Sequence, residues 1–247
     1  MLMNNDFCNE ISIFFIDMVV HEDLSNYFDI YMTDNISKDY SLFDTSLVLD
    51  DSLDAAGVTI LPSESSSKIT ILISNTVTEP ATILHELTHM HDMVLFSNEL
   101  CNCDLSQVKK HMYYQTFINW SEFHVKQIDI PYMHLILDII DGKTDNFLET
   151  FKSQIKTFYF PGYTQKFISK KDNLNMRDVM WYLGELTVCN LYDKENNYKI
   201  PDEVKLILPN DFQPLYDELQ QCQDFSSFLS HIETIHSCYH QFRHIHI

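Results

Sequence analysis

The sequence predicts an α+β fold, a small sheet followed by a chemistry-bearing helix and then a mainly helical remainder, and three observations lead there. Only four glycines occur in 247 residues (Gly57, Gly142, Gly162, Gly184), so turns that need positive φ are scarce and long helices are favoured over a strand-rich sandwich. The run Lys68-Ile69-Thr70-Ile71-Leu72-Ile73-Ser74 is β-branched and apolar, the strongest strand signal in the chain. From about residue 78 onward, apolar residues recur at helical rather than strand spacing.

Ahead of that strand, residues 8–27 read as a helix. Short strand-like runs follow at 28–32, 46–49 and 57–61, with a turn at 63–67. After it, Thr78 or Glu79 can cap a helix, Pro80 suits its first turn, and the pattern runs to about Phe96. A second long helix is expected over 106–127, stopped near Pro131, with another over 132–140. Further helices are expected at 146–157, 176–192 and 212–239, punctuated by Pro161-Gly162, Pro201 and Pro209. The break at Asp141-Gly142-Lys143 divides the expected core, residues 1–141, from a helical C-terminal lobe, residues 142–247.

Composition excludes several functions. Apolar residues make up 45% and charged residues 21%, which supports a buried core without stapling. Sixteen basic against 36 acidic side chains give a formal charge of −20, a field that repels phosphate backbones and anionic lipid, so neither nucleic acid nor a membrane surface is an expected partner. The apolar run at 11–16 has no basic residue before it and Asp17 close behind, unlike a signal peptide, and no apolar stretch reaches the roughly 20 residues of a membrane helix. A cytoplasmic protein with reduced thiols is expected. The six cysteines are scattered, and Cys101-Asn102-Cys103 lacks a nearby second pair for a metal site.

The chemistry sits in His85-Glu86-Leu87-Thr88-His89. On a helix, histidines four apart project from one face and can share a cation, the spacing of a bidentate zinc clamp. Glu86 lies beside that face, placed to act as general base on water activated by zinc and not to ligate it. One zinc per chain is expected. The bare pattern arises by chance in a chain with 12 histidines, but Ile83, Leu87, Met90 and Val94 recur on the opposite face, giving the motif helix a core-facing side. His91, about 200° round the helix from His89, is structural, while Asp92 reads equally as an exposed charge or an acceptor orienting a ligand imidazole.

These residues resemble the zincin metallopeptidases, whose active-site helix follows an edge strand that binds substrate backbone by β-augmentation; residues 68–74 occupy that place here. The similarity covers about 57–127. In the gluzincin branch a glutamate from a later helix supplies the third ligand, and Asn119-Trp120-Ser121-Glu122-Phe123-His124 falls in such a helix, which makes Glu122 the candidate. Glu99, His111, His124 and Asp129 are its rivals, and an ion pair between Glu122 and Lys126 is the ordinary alternative. The layout also looks like the ImmA/IrrE-type peptidases of mobile elements, whereas the metzincin continuation after His89 is absent. His124, Tyr113 and Tyr114 are candidate donors to a developing oxyanion. The resemblance implies a zinc-dependent peptidase acting on a peptide or protein, and the alternative is a non-catalytic regulatory or interaction protein on the same scaffold. Neither reading determines an oligomeric state. Two further features have plainer readings: the Trp181 segment as core packing, with Glu185 of functional interest if buried there, and the histidine-rich end (His231, His236, His240, His244, His246) as a surface helix.

Overall fold

The computed structural model describes residues 5–43, 56–64, 67–77, 79–143, 146–208 and 212–241. Its contacts divide the chain into two compact units, Met1–Met112 and Tyr113–Ile247. The fold is α+β, with one three-stranded sheet among the described residues. The break expected near residue 142 coincides with the end of a helix, where Gly142 takes a left-handed conformation (φ 67°).

In the first unit, α1 (Asn5–Phe15) leads through a π turn at Ile16–Val20, capped by His21 at φ 60°, so the helix expected to run to 27 stops seven residues early. Strands β1 (Phe28–Thr33), β2 (Gly57–Ile60) and β3 (Ile69–Ser74) form the sheet in the order β1-β3-β2. β1 runs parallel to β3 and β2 antiparallel to it. This corrects the edge-strand expectation: residues 68–74 form the central strand. The physical reason is visible in the run itself, since Ile71, Leu72 and Ile73 are consecutive and all buried, so both faces of β3 are covered. The expected strand at 46–49 and the Thr78 cap lie outside the described residues.

The pleat sends Val58, Ile60 and Leu72 toward α2 (Ile36–Phe43), where they pack on Tyr40. Gly57, Thr59 and Ile71 therefore face the other side. There lies α3 (Pro80–Leu100), with Pro80 in its first turn as expected and Glu79 as the N-cap residue without a side-chain cap bond. The predicted core face of α3 is buried throughout, with Ile83, Leu87 and Met90 fully enclosed and Val94 nearly so.

The second unit is helical among its described residues. In place of the two helices expected over 106–140, a 3-10 turn at Leu105–Lys110 in the first unit precedes one continuous helix, α4 (Tyr114–Asp141). Pro131 sits inside it; losing one backbone bond costs about 3 kcal/mol, and burial of Ile130, Pro131 and Ile136 on the helix offsets it. α5 (Phe147–Gln154) passes through a π turn at Ile155–Tyr159 into α6 (Phe160–Ser169), which takes up Pro161 in its first turn. α7 (Met176–Tyr192) begins as expected, on a capping box between Asn175 and Asp178. A short α8 (Asp202–Lys205) follows Pro201. The single helix expected over 212–239 is two, α9 (Phe212–Leu219) and α10 (Phe225–Gln241), separated where Asp224 accepts a 2.8 Å bond from the Ser227 amide as a new N-cap.

α4 and α7 pack closely because Gly184 has no side chain. A Cβ there would lie 2.5 Å from the Phe123 carbonyl oxygen and 2.8 Å from Lys126 Cβ. Around this pair, Ile130, Phe151, Ile155, Val188 and Cys189 form an apolar core.

Candidate metal centre

Helix α3 carries the first part of the site. His85 is half-buried and His89 buried, and their Nε2 atoms lie 3.1 Å apart with the rings nearly perpendicular (84°). Two nitrogens bound tetrahedrally to zinc at about 2.0–2.1 Å stand roughly 3.3 Å apart, so the pair is spaced for chelation. Glu86, one residue on, is 6% exposed and turns toward the sheet instead. Thr59 Oγ1 lies 2.7 Å from Glu86 Oε2 and 3.1 Å from the Glu86 carbonyl oxygen. Its single hydrogen favours the nearer, charged acceptor, leaving the second carboxylate oxygen for other chemistry. Gly57 makes room for this side chain, since a Cβ there would stand 2.8 Å from Glu86 Cγ.

Glu122, on α4, is 5% exposed. Its Oε2 accepts a 2.6 Å bond from the Trp181 indole N–H, and its Oε1 forms an ion pair with Arg177 Nε at 2.9 Å, both partners being on α7. The expected Lys126 partner goes elsewhere, binding Asp129 at 2.7 Å. His85 and His89 lie in the first unit and Glu122 in the second, and each is of a kind that ligates a divalent metal. The set fits a divalent metal chemically: two neutral imidazoles and one carboxylate are a known donor set for catalytic zinc.

The rivals are placed differently. Asp129 is paired with Lys126, Glu99 is exposed at the end of α3, and His111 stands edge-on to Phe96 at 5.2 Å. Asp92 is completely buried, which removes the reading of an exposed helix charge. His91 packs edge-on to Phe15, in keeping with a structural role. His124 is buried and stacks on Trp120 at 4.8 Å, Tyr113 packs edge-on to His236 at 5.1 Å, and Tyr114 is half-buried at the start of α4. At the chain's end, His236 Nδ1 bonds Thr116 Oγ1 at 2.7 Å and His231 bonds Glu218 at 2.7 Å; the His240 side chain, His244 and His246 lie outside the described residues. All six cysteines are free thiols.

No family model, curated protein or solved structure matches the chain. Among the described residues, no helix is long and apolar enough to cross a membrane. Sequence reasoning missed Gly57, Thr59, Arg177 and Gly184 and misread Trp181, which is half-buried with its indole N–H on Glu122 instead of enclosed in the core. Strand register places Gly57 and Thr59 against Glu86, helix pairing places Arg177 and Trp181 against Glu122, and neither is written in local periodicity. Glu185 is buried at 5% exposure, and burial pushes its carboxyl up to about 7 against the pull of Lys166 and Lys126.

Proposed function

We propose that the chain is a zinc-dependent peptidase of the zincin type, in which His85, His89 and Glu122 hold one zinc ion and Glu86 is the general base. The observation that carries the reading is the facing Nε2 pair of His85 and His89, 3.1 Å apart, with a buried carboxylate on the intervening residue. Metal-free, such a pair must spend one N–H in a bond between the rings; a cation lets both imidazoles act as acceptors. Zinc, when bound, supplies a water of pKa near 7 and polarises the scissile carbonyl.

Glu86 does the proton work. The Thr59 hydroxyl holds Oε2, which leaves Oε1 to take the proton as water attacks and to return it to the departing amine. Glu122 partly neutralises the dication while leaving a coordination position open. Strand β2 rather than β3 serves as the substrate edge in this reading, because it carries the Gly57 and Thr59 that abut Glu86 and, among the described residues, pairs with β3 alone.

The test is metal content and peptide-library cleavage on the purified chain. One zinc per chain is expected, lost in His85→Ala and His89→Ala. Glu86→Gln should keep the zinc while cleavage falls by about 10² to 10⁴, because the amide cannot accept a proton. Full occupancy in both histidine variants, or equal cleavage by Glu86→Gln, overturns the assignment; zinc binding without cleavage by the native chain favours the non-catalytic alternative.

A further inference from the structure

We propose that Trp181 is a positioning residue for the metal centre, fixing the Glu122 carboxylate in its ligating orientation; the inference rests on the reading of Glu122 as a ligand. An indole N–H is a donor only, so a buried acceptor opposite it is held in one direction. The 2.6 Å bond from Trp181 to Oε2 is charge-assisted, and with the ion pair from Arg177 Nε to Oε1 at 2.9 Å it restrains rotation of the carboxylate about its last bond. A carboxylate offers about four lone-pair directions. Donors on both oxygens fix the plane of the carboxylate, and with it the directions in which it can meet a cation.

The two donors differ in what they do. Arg177 is 63% exposed and brings a full positive charge beside the carboxylate, which competes with a metal for its electrons. Trp181 brings direction without net charge. Its own position is set from both sides of the seam. Lys126 Nζ on α4 lies 4.8 Å from the indole centroid, and Lys166 and Lys170 Nζ lie 5.4 and 5.7 Å from it. Gly184, nearly one turn further along α7, lets the two helices approach closely enough for the indole to span them. Glu122, Lys126 and Trp181 thus share the α4–α7 seam with the buried Asp129 and Glu185, a costly concentration of polar groups unless the carboxylate has a task.

The experiment is zinc affinity, measured by chelator competition on the full chain in a four-member cycle: native, Trp181→Phe, Glu122→Gln and the double variant. Phenylalanine keeps the aromatic volume and removes the donor. The expected result is a 10- to 100-fold loss of affinity for Trp181→Phe in the native background, as for other partners of metal ligands, and less than twofold once Glu122 is already glutamine. Arg177→Met, a change at an exposed side chain, should alter affinity less than Trp181→Phe does. An equal loss from Trp181→Phe in both backgrounds marks a general structural role and overturns the proposal, as does an unchanged affinity in the native background. If Glu122→Gln binds zinc as tightly as the native chain, the ligand assignment itself falls and this inference falls with it; if Glu122→Gln weakens zinc and Trp181→Phe does not, the inference alone fails.

Discussion

Glu86 shows how much a single residue's role depends on what faces it. The motif places it beside the histidines, but a long carboxylate has several rotamers, and what selects one is Thr59 across the sheet together with the empty space over Gly57. Gly57 has no positive φ to preserve, so alanine there is tolerated by the backbone and acts on its neighbour alone. A Cβ 2.8 Å from Glu86 Cγ must displace that side chain. Gly57→Ala should therefore retain zinc yet lose cleavage by about 10²-fold, the scale of a 1 Å misplacement of a catalytic group. Metal analysis beside a cleavage assay checks this; undiminished cleavage would mean that Glu86 is not held from β2.

At the scale of elements, the most extensive helix contact among the described residues of the second unit is that of α4 with α7. Both helices carry buried charge along their contact, with Lys126 and Asp129 on one and Glu185 on the other, so the seam tolerates little separation before water enters. The obstacle to a side chain at Gly184 is the carbonyl oxygen of Phe123, which cannot move without its helix. Gly184→Ala should cost about 3 kcal/mol, the upper end of overpacking effects, seen as a lower urea midpoint. An unchanged midpoint would show that the seam can open without penalty. The same burial explains why α4 runs through Pro131, where local rules favoured a stop: Ile130, Pro131 and, further along, Ile136 are buried.

For the whole molecule, Glu185 makes stability depend on pH in a direction opposite to most acids. Its folded carboxyl is raised to about 7 from 4.5 by burial, with Lys166 as the nearest cation at 3.9 Å. The folded state thus binds the proton more tightly than the unfolded chain. The stability this contributes is complete below about pH 4.5 and is lost as pH rises through about 7, a difference on the order of 3 kcal/mol. A glutamine mimics the protonated form, so the native chain should lose stability relative to Glu185→Gln between pH 5 and 8. Urea unfolding of both proteins at the two pH values measures it, and a gap that stays constant would mean that the carboxyl titrates normally.

Several elements were legible from local pattern because their causes are local. The β-branched run at 69–74, the Pro80 start of α3 and the histidine pair four residues apart each depend on near neighbours, and β3, α3 and the facing imidazoles follow from them. Glu122 was named from its place in a helix and from the zincin resemblance, and its burial on α4 is what the structure adds. Other features depend on distant residues. β3 became central because two strands that both precede it in sequence pair on its two edges, α4 continued past Pro131 because Ile130, Pro131 and Ile136 are buried, and the helix broke at Asp224 because a cap formed there. Thr59, Arg177 and Trp181 belong to the same class, since 27 residues separate Thr59 from Glu86 and 59 separate Trp181 from Glu122. Periodicity reports which face of an element is apolar; only packing decides which element that face, or the polar side chain beside it, will meet.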